Sequence, residues 1–178
     1  MIRVAIVDDQ PLVRSGLMMI LTAEDDIDVV GQAADGAAAL ELVTDLSPDV
    51  LLLDVQMPGL DGLAVMEQIA SLDVETRVLM LTTFDLDEYV YRAMRAGASG
   101  FLVKDMPGED IVTAVRQAAR GVEGLLAPAV TRRLIDRFTS TSPQRSRPEL
   151  ERLTARERDV LRLVGRGCSN AEIAGELF

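Results

Sequence analysis

The sequence lacks several residue types that carry specific chemistry. It has no histidine, no tryptophan and one cysteine, Cys168, among 178 residues. Without histidine, the chain has no His-based metal site, no Ser-His-Asp triad and no histidine that could carry a phosphoryl group. A single cysteine excludes an internal disulfide framework and is typical of proteins in a reducing compartment. The sequence therefore predicts a cytoplasmic protein whose chemistry does not depend on histidine.

Long hydrophobic runs are also missing. No apolar run approaches the roughly 18–20 residues that a membrane-spanning helix needs. The first ten residues, "MIRVAIVDDQ", reach two aspartates too early for a secretory signal. Because 48% of the residues are hydrophobic, the chain can bury a sizeable core. The length allows one well-packed domain, or one domain plus a small appendage, and we expect no membrane association.

Lysine is scarce as well, since Lys104 is the single lysine among 18 basic residues. The net charge of −11 is unevenly distributed along the chain. Residues 1–126 hold 8 basic and 22 acidic side chains, whereas residues 127–178 hold 10 arginines and 7 acidic side chains. The acidic part should repel nucleic acid, while the arginine-bearing tail need not. This asymmetry predicts two modules with different partners.

Short apolar runs alternate with amphipathic stretches through the first two thirds of the sequence. Four runs are almost entirely apolar: 4–7, 50–53, 78–81 and 101–103. A fifth, weaker run lies at 28–34. Continuous apolar runs suit strands that are buried on both faces. The amphipathic stretches have helical length: 11–23, 36–46, 61–71, 86–96 and 108–120. The pattern predicts an α/β fold with a doubly wound, five-stranded parallel sheet.

The pattern changes after Gly121. Residues 128–138 predict one amphipathic helix, and the polar residues 139–149, with two prolines, predict a flexible linker. Two Ser/Thr-x-x-Glu capping boxes follow, "TARE" at 154–157 and "SNAE" at 169–172, with Gly167 placed to end the helix between them. The tail should therefore be helical.

Polar side chains follow the predicted strands at one edge of the sheet. Asp8 and Asp9 follow the first strand, Asp54 the third, Thr82 the fourth and Lys104 the fifth. One Asp or Thr at a strand end is usually a helix cap or lies in a solvated turn, but all five fall where parallel sheets bind ligands. Three carboxylates so close repel each other unless a cation lies among them. Oxygen ligands without His or Cys favour Mg²⁺.

Four segments together resemble the receiver domain of two-component response regulators: "IVDDQ", "DVLLLDVQMPGLDGL", "RVLMLTTF" and "AGASGFLVKD". They occur in the expected order over residues 1–122. The tail "LTARERDVLRLVGRGCSNAEIAGELF" is similar to the start of a LuxR-type helix-turn-helix domain. The pair resembles the NarL/LuxR family of transcriptional regulators. We expect a receiver domain at 1–122, a linker with one helix at 123–152 and an incomplete helix-turn-helix domain at 153–178.

The resemblance implies a role for each residue of the acidic edge. Asp54 matches the phosphoacceptor, which takes a phosphoryl group from the phosphohistidine of a sensor kinase. Asp9 and Asp54 would ligate Mg²⁺ directly, with the backbone carbonyl of Gln56, while Asp8 would act mostly through water. Lys104 would be the cation that meets the phosphoryl group, because a compact ammonium suits it better than an arginine fork.

Two further residues match the family's switch. Thr82 corresponds to the hydroxyl that closes on the phosphoryl group, and Phe101 to the aromatic side chain that then rotates inward. A plain core aromatic is the other reading of Phe101, and the sequence leaves both open. Asp105 follows Lys104 where many receivers have proline.

The leading hypothesis is a response regulator in which phosphorylation promotes a homodimer and controls DNA binding. The sequence stops at Phe178, where the supporting helix of the helix-turn-helix ends. We therefore expect no recognition helix in this chain and DNA binding only in the complete protein. Either the first and fifth helices or the fourth helix and fifth strand would form the dimer face.

Two alternatives remain open at this point. A phospho-dependent dimerisation or docking module would act without DNA. An aspartate-nucleophile phosphohydrolase would carry a second Asp two residues after the nucleophile, where this sequence has Gln56. We therefore expect a signalling receiver, not an enzyme with a separate substrate, that promotes its own phosphorylation and slow dephosphorylation.

Overall fold

Parallel strands and helices alternate along the first of two units into which the chain divides, Met1–Phe138 and Thr139–Phe178. The residues described in this computed structural model are 1–72, 74–83, 87–128, 130–131, 154, 157 and 160. No helix among them is both long and apolar enough to cross a membrane.

The first unit is built on a six-stranded parallel sheet. The strands are β1 Ile2–Val7, β2 Ile27–Ala33, β3 Val50–Asp54, β4 Arg77–Thr82, β5 Gly100–Val103 and β6 Leu125–Leu126. Their order is β2-β1-β3-β4-β5-β6, and every neighbouring pair is parallel. The chain therefore reverses its direction of winding at β1. The switch point lies between β1 and β3, and sheets of this type bind ligands at the carboxyl ends of the strands beside it.

Five helices cover the two faces of the sheet. They are α1 Pro11–Thr22, α2 Gly36–Leu46, α3 Gly62–Ile69, α4 Asp87–Arg95 and α5 Gly108–Ala119. Buried side chains of α1 and α5 share one core cluster, and those of α2, α3 and α4 share the other. The predicted doubly wound α/β fold is confirmed, and the five strands and five helices predicted within residues 1–122 lie within two residues of their observed bounds.

Local capping explains where two of these helices begin. The carboxylate of Asp35 accepts a hydrogen bond from Ala38 N at 2.9 Å, and that of Asp61 accepts one from Ala64 N at 2.8 Å. Each side chain thus satisfies a backbone donor that a helix start leaves unpaired.

The apolar runs are continuous because consecutive strand residues pack alternately into the two core clusters. Along β3, Leu51 and Leu53 pack on one face of the sheet, while Val50 and Leu52 pack on the other. All four side chains are fully buried. A strand covered by helices on both sides has no polar face, so its sequence cannot alternate.

The sixth strand corrects the prediction of a five-stranded sheet. β6 pairs with β5, where Leu125 N donates to Ser99 O and Ala127 N donates to Phe101 O, both at 3.1 Å. Two residues are too few for any hydrophobic period to show in the sequence. Its pairing satisfies backbone groups of β5 that would otherwise be unpaired at the edge of the sheet.

Gly100 permits the close approach of β6, so we predict that Gly100→Ala displaces it. A Cβ at position 100 would lie 2.5 Å from Leu125 O and 2.7 Å from Leu125 Cβ. We expect a loss of about 1–3 kcal/mol in the free energy of unfolding in urea, as for other overpacked sites. Amide hydrogen exchange at Leu125 and Ala127 should accelerate.

The matched control is Gly16→Ala. Gly16 lies within α1, and a Cβ there would meet no atom within 4 Å. This change should raise stability by roughly 0.5–1 kcal/mol, because alanine is the better helix former. Equal stability changes in the two variants would contradict the packing account of Gly100.

The capping box predicted at 154–157 is confirmed in the second unit. Thr154 N donates to Glu157 Oε2 at 2.7 Å, and Glu157 N donates to Thr154 Oγ1 at 3.3 Å. The hydrogen bonds that Thr154 N and Thr154 Oγ1 donate to the Glu157 carboxylate lower the pKa of Glu157. Two backbone N–H groups at the helix start, those of Thr154 and Glu157, thereby gain hydrogen-bond acceptors.

The helix predicted at 128–138 is described only at its beginning. Residues 128, 130 and 131 are helical, and Thr131 N donates to Ala127 O at 3.0 Å. The linker at 139–149, the second capping box at 169–172 and Gly167 lie outside the described residues. The domain boundaries at 122 and 152 stay predictions.

Candidate functional site

The polar residues predicted to meet at one edge of the sheet do meet there. Asp54 and Thr82 end β3 and β4, while Asp8 and Lys104 directly follow β1 and β5. Asp8 is 0% exposed and Asp54 is 3% exposed, and Thr82 is also buried. Burial to this degree is rare for a carboxylate that has no charged partner.

Lys104 is the charged partner of both buried carboxylates. Its Nζ lies 2.7 Å from Asp8 Oδ2 and 2.8 Å from Asp54 Oδ2. The backbone holds the lysine in place, because Lys104 N donates to Thr82 O at 2.7 Å. One ammonium thus faces two carboxylates, and Asp9 adds a third negative charge beside them.

Burial and charge pairing act in opposite directions on these groups. Burial raises the pKa of Asp54, although the hydrogen bond and charge of Lys104 work to lower it. Burial alone would lower the pKa of Lys104, but Asp54 and Asp8 outweigh it, so the lysine pKa is raised. Lys104 is therefore a permanent cation at neutral pH, whereas the charge on Asp54 is costly to keep.

The three carboxylates can share one metal ion. Asp8, Asp9 and Asp54 each offer an oxygen, and these oxygens lie within 4.8 Å of one another. Within the described part of the chain, Asp9 Oδ1 is a buried atom that has no hydrogen-bond partner. Leaving such an acceptor unpaired costs about 1–3 kcal/mol. A hard cation would satisfy it, so the donor set fits Mg²⁺.

The hydroxyl of Thr82 lies at the same edge of the sheet. Thr82 Oγ1 is buried and has no hydrogen-bond partner among the described residues. Its donor is therefore available to an anion at this edge. The unpaired acceptor on Asp9 and the unpaired donor on Thr82 call for ligands of opposite charge, as a metal-bound phosphoryl group would provide.

Backbone contacts orient the carboxylates. Gln10 N donates to Asp8 Oδ1 at 2.9 Å, and Gln56 N donates to Asp54 Oδ1 at 3.3 Å. Gln56 is thus placed beside Asp54 by its main chain, and its side chain is exposed. Its carbonyl as a metal ligand stays a prediction.

Phe101 is fully buried in the core cluster that also contains Ala127 and Val130. It lies on β5 and its carbonyl accepts the hydrogen bond from Ala127 N. This position suits a core aromatic. It also places the predicted switch residue in contact, through its carbonyl, with Ala127, which follows β6.

Two positions at the site were missed from the sequence. A Cβ on Gly62 would lie 1.9 Å from Asp54 O, so only glycine lets α3 begin against the strand that carries Asp54. Arg14 Nη1 donates to Asp8 O at 2.6 Å. The "DG" pair at 61–62 is a sequence signal that could have indicated Gly62. Nothing in the sequence marks Arg14.

Comparisons with known proteins agree with this geometry. Residues 4–116 match the family model for the response regulator receiver domain, and residues 151–178 match that for bacterial regulatory proteins of the luxR family. The uncharacterized transcriptional regulatory protein YxjL of Bacillus subtilis is 41% identical over 178 residues, covering 99% of this chain and 81% of YxjL. The probable transcriptional regulatory protein NarL of Mycobacterium tuberculosis is 42% identical over 177 residues, covering 99% and 80%.

Solved structures give the same result. The receiver domain of the M. tuberculosis NarL superposes with a TM-score of 0.65 at 46% identity, covering 67% of this chain and 97% of that one. The response regulator ChrA of a heme-sensing two-component system superposes with a TM-score of 0.65 at 37% identity, covering 99% and 81%.

The doubly wound sheet and its acidic edge define a receiver domain, and the luxR match adds a DNA-binding domain to it. The chain belongs to the NarL/LuxR family of two-component response regulators. The resemblance found in the sequence and the regulatory function it implied are thereby confirmed.

Proposed function

We propose that Asp54 accepts a phosphoryl group from the phosphohistidine of a sensor kinase and that Lys104, Thr82 and Mg²⁺ assist the transfer. In this step a phosphorus–oxygen bond to Asp54 forms as the phosphorus–nitrogen bond breaks, and its electron pair leaves with the imidazole. The observation that carries the proposal is the Lys104 ammonium, 2.8 Å from Asp54 Oδ2. At the same edge, Thr82 and Asp9 have buried atoms without a hydrogen-bond partner among the described residues.

Each residue has a distinct task. Asp9 and Asp54 would hold Mg²⁺ with the carbonyl of Gln56, and Asp8 would act mostly through water. Bound Mg²⁺ would neutralise charge on the phosphoryl oxygens. The Lys104 ammonium would meet one of these oxygens, and the Thr82 hydroxyl would donate to another once the transfer is complete. Phe101 would then repack in the core.

Radiolabelled acetyl phosphate, a small phosphodonor, tests this function without the kinase. The chain should take up label with MgCl₂ and lose that uptake in EDTA. An unchanged level of label in EDTA would contradict a metal-dependent transfer to Asp54.

The luxR match at residues 151–178 favours a DNA-binding regulator over a docking module that acts without DNA. The phosphohydrolase alternative has no support, because position 56 is Gln56 and its side chain is exposed. The partners we propose are a sensor histidine kinase, DNA and a second copy of the chain, in the cytoplasm.

We propose the first of the two predicted dimer faces, on α1 and α5. Leu12 and Met19 on α1 are 84% and 76% exposed and, seven residues apart, lie on one side of the helix. The alternative face includes the edge of β5, and β6 already pairs with that edge. The first face therefore offers apolar side chains that are still uncovered.

The double change Leu12→Ser, Met19→Ser should weaken the phosphorylated homodimer by at least about tenfold, since burying each side chain contributes roughly 1.5–3 kcal/mol. Sedimentation velocity with beryllofluoride and MgCl₂ would measure it. Leu72→Ser, another exposed leucine, is the matched control. A dimer that survives the double change would favour the other face.

A further inference from the structure

The loop between β1 and α1 carries two of the three carboxylates of the site. Three hydrogen bonds hold Asp8 within it. Asp8 N donates to Ala33 O at 3.2 Å, Gln10 N donates to Asp8 Oδ1 at 2.9 Å, and Arg14 Nη1 donates to Asp8 O at 2.6 Å. The last is the shortest of the three and the one that a charged side chain makes.

The carbonyl that Arg14 binds belongs to the peptide bond between Asp8 and Asp9. Holding this peptide group restricts ψ of Asp8 and φ of Asp9, the two dihedral angles that orient their side chains relative to its plane. Asp8 directs its carboxylate to Lys104, and Asp9 has a buried oxygen near the same edge that no described residue pairs by a hydrogen bond. A contact on this one carbonyl therefore acts on the backbone of two residues of the candidate metal set.

Arg14 has no competing ionic role in the described part of the chain. It lies half-buried in the first turn of α1, and no carboxylate of the described residues is within ion-pair distance of its guanidinium. A charge-assisted hydrogen bond to a carbonyl contributes more than a neutral one. The interaction of this guanidinium that the structure shows is therefore its hydrogen bond to Asp8 O in the β1–α1 loop.

We infer that Arg14 is a positioning residue for the metal site: its guanidinium holds the Asp8–Asp9 peptide so that both carboxylates face the bound cation. The inference rests on the proposed function, in which these carboxylates bind Mg²⁺. Arg14 contacts neither the metal nor the phosphoryl group, so it acts through Asp8 and Asp9.

The direction of the effect separates positioning from simple electrostatics. A guanidinium close to the site repels Mg²⁺, so removing its charge alone would strengthen metal binding. Losing the hydrogen bond to the loop would weaken metal binding instead. Removal of a residue that orients metal ligands typically costs 10–100-fold in affinity. For Arg14→Ala we expect Mg²⁺ binding to weaken by about tenfold.

Isothermal titration of the full 178-residue chain with MgCl₂ measures this affinity directly. Arg14→Lys keeps the charge and one donor and should recover part of the loss. Arg3→Ala is the matched control, because Arg3 Nη1 donates to Ser47 O at 2.9 Å near the opposite end of β1. Its affinity for Mg²⁺ should equal that of the wild type.

A second measurement separates positioning from folding. Labelling by acetyl phosphate in Arg14→Ala should need about tenfold more MgCl₂ for half of its maximum, yet reach the wild-type level at saturation. Arg14→Gln, which keeps an amide donor without charge, replaces the alanine variant if that variant does not fold.

The possible outcomes are distinct. Unchanged or tighter Mg²⁺ binding in Arg14→Ala, with a wild type that binds normally, would overturn the inference and leave the proposed function intact. A level of label that stays low in saturating MgCl₂ would also overturn it, because the loss would then lie in folding or transfer. A wild-type chain that binds no Mg²⁺ would overturn both.

Discussion

Asp54→Asn should abolish incorporation of label from acetyl phosphate, with a loss of at least about a hundredfold, because the neutral amide is not a nucleophile. The substitution keeps the size of a side chain that is almost fully buried, so the packing at the end of β3 should survive. Lys104 would keep Asp8 as its partner, 2.7 Å away. The effect should therefore fall on the chemistry rather than on the fold.

Asp105→Asn is the matched control for this change. Asp105 is an exposed carboxylate next to Lys104 in the chain, and our proposal gives it no part in the transfer. Its level of label should match the wild type. Label that persists in Asp54→Asn would show that another carboxylate accepts the phosphoryl group, and the assignment of the site would be wrong.

Lys104→Arg should lower the rate of labelling by roughly a hundredfold, the typical cost of removing one donor aimed at developing charge. The ammonium fits between Asp8 and Asp54 with one nitrogen in contact with both carboxylates. A guanidinium is longer and planar, and it spreads its donors over a fixed fork. It keeps the charge but cannot put a single donor at that point. The Mg²⁺ affinity should change little, since Lys104 is not a ligand.

Arg77→Lys provides the reciprocal control. Arg77 is exposed at the start of β4, and among the described residues its ion-pair partner is Glu123, at 3.9 Å, so the exchange of its head group should not affect labelling. Labelling rates and calorimetric Mg²⁺ titrations on both variants give the comparison. A wild-type rate in Lys104→Arg would mean that charge alone matters at this position and that the shape of the ammonium does not.

The alternation of short apolar runs with amphipathic stretches was sufficient to predict the doubly wound sheet. A strand such as Val50–Asp54 is apolar on both sides because helices cover both sides. Consecutive residues of the strand must therefore all be apolar, which the sequence shows directly. Capping signals such as Thr154 with Glu157 are equally local. Signals of this kind lie within a few residues of each other, so a single sequence reveals them.

The residues of the acidic edge could also be named from the sequence. Parallel strands bring their carboxyl ends to one side of the sheet, so the residue after each strand is assigned once the strands are known. The pairing of Lys104 with Asp8 and Asp54 was not part of that prediction. It depends on the distance between side chains that are up to 96 residues apart in the chain.

The sequence by itself determined the order of the strands and helices, the acidic edge and the family of the protein. Only the tertiary structure decided that β6 adds a sixth strand, that Gly62 admits the carbonyl of Asp54 and that Arg14 holds the loop of Asp8. The physical reason is the range of the interaction. Periodicity and capping act between near neighbours, whereas each of these contacts depends on a backbone group that folding brings to one particular place.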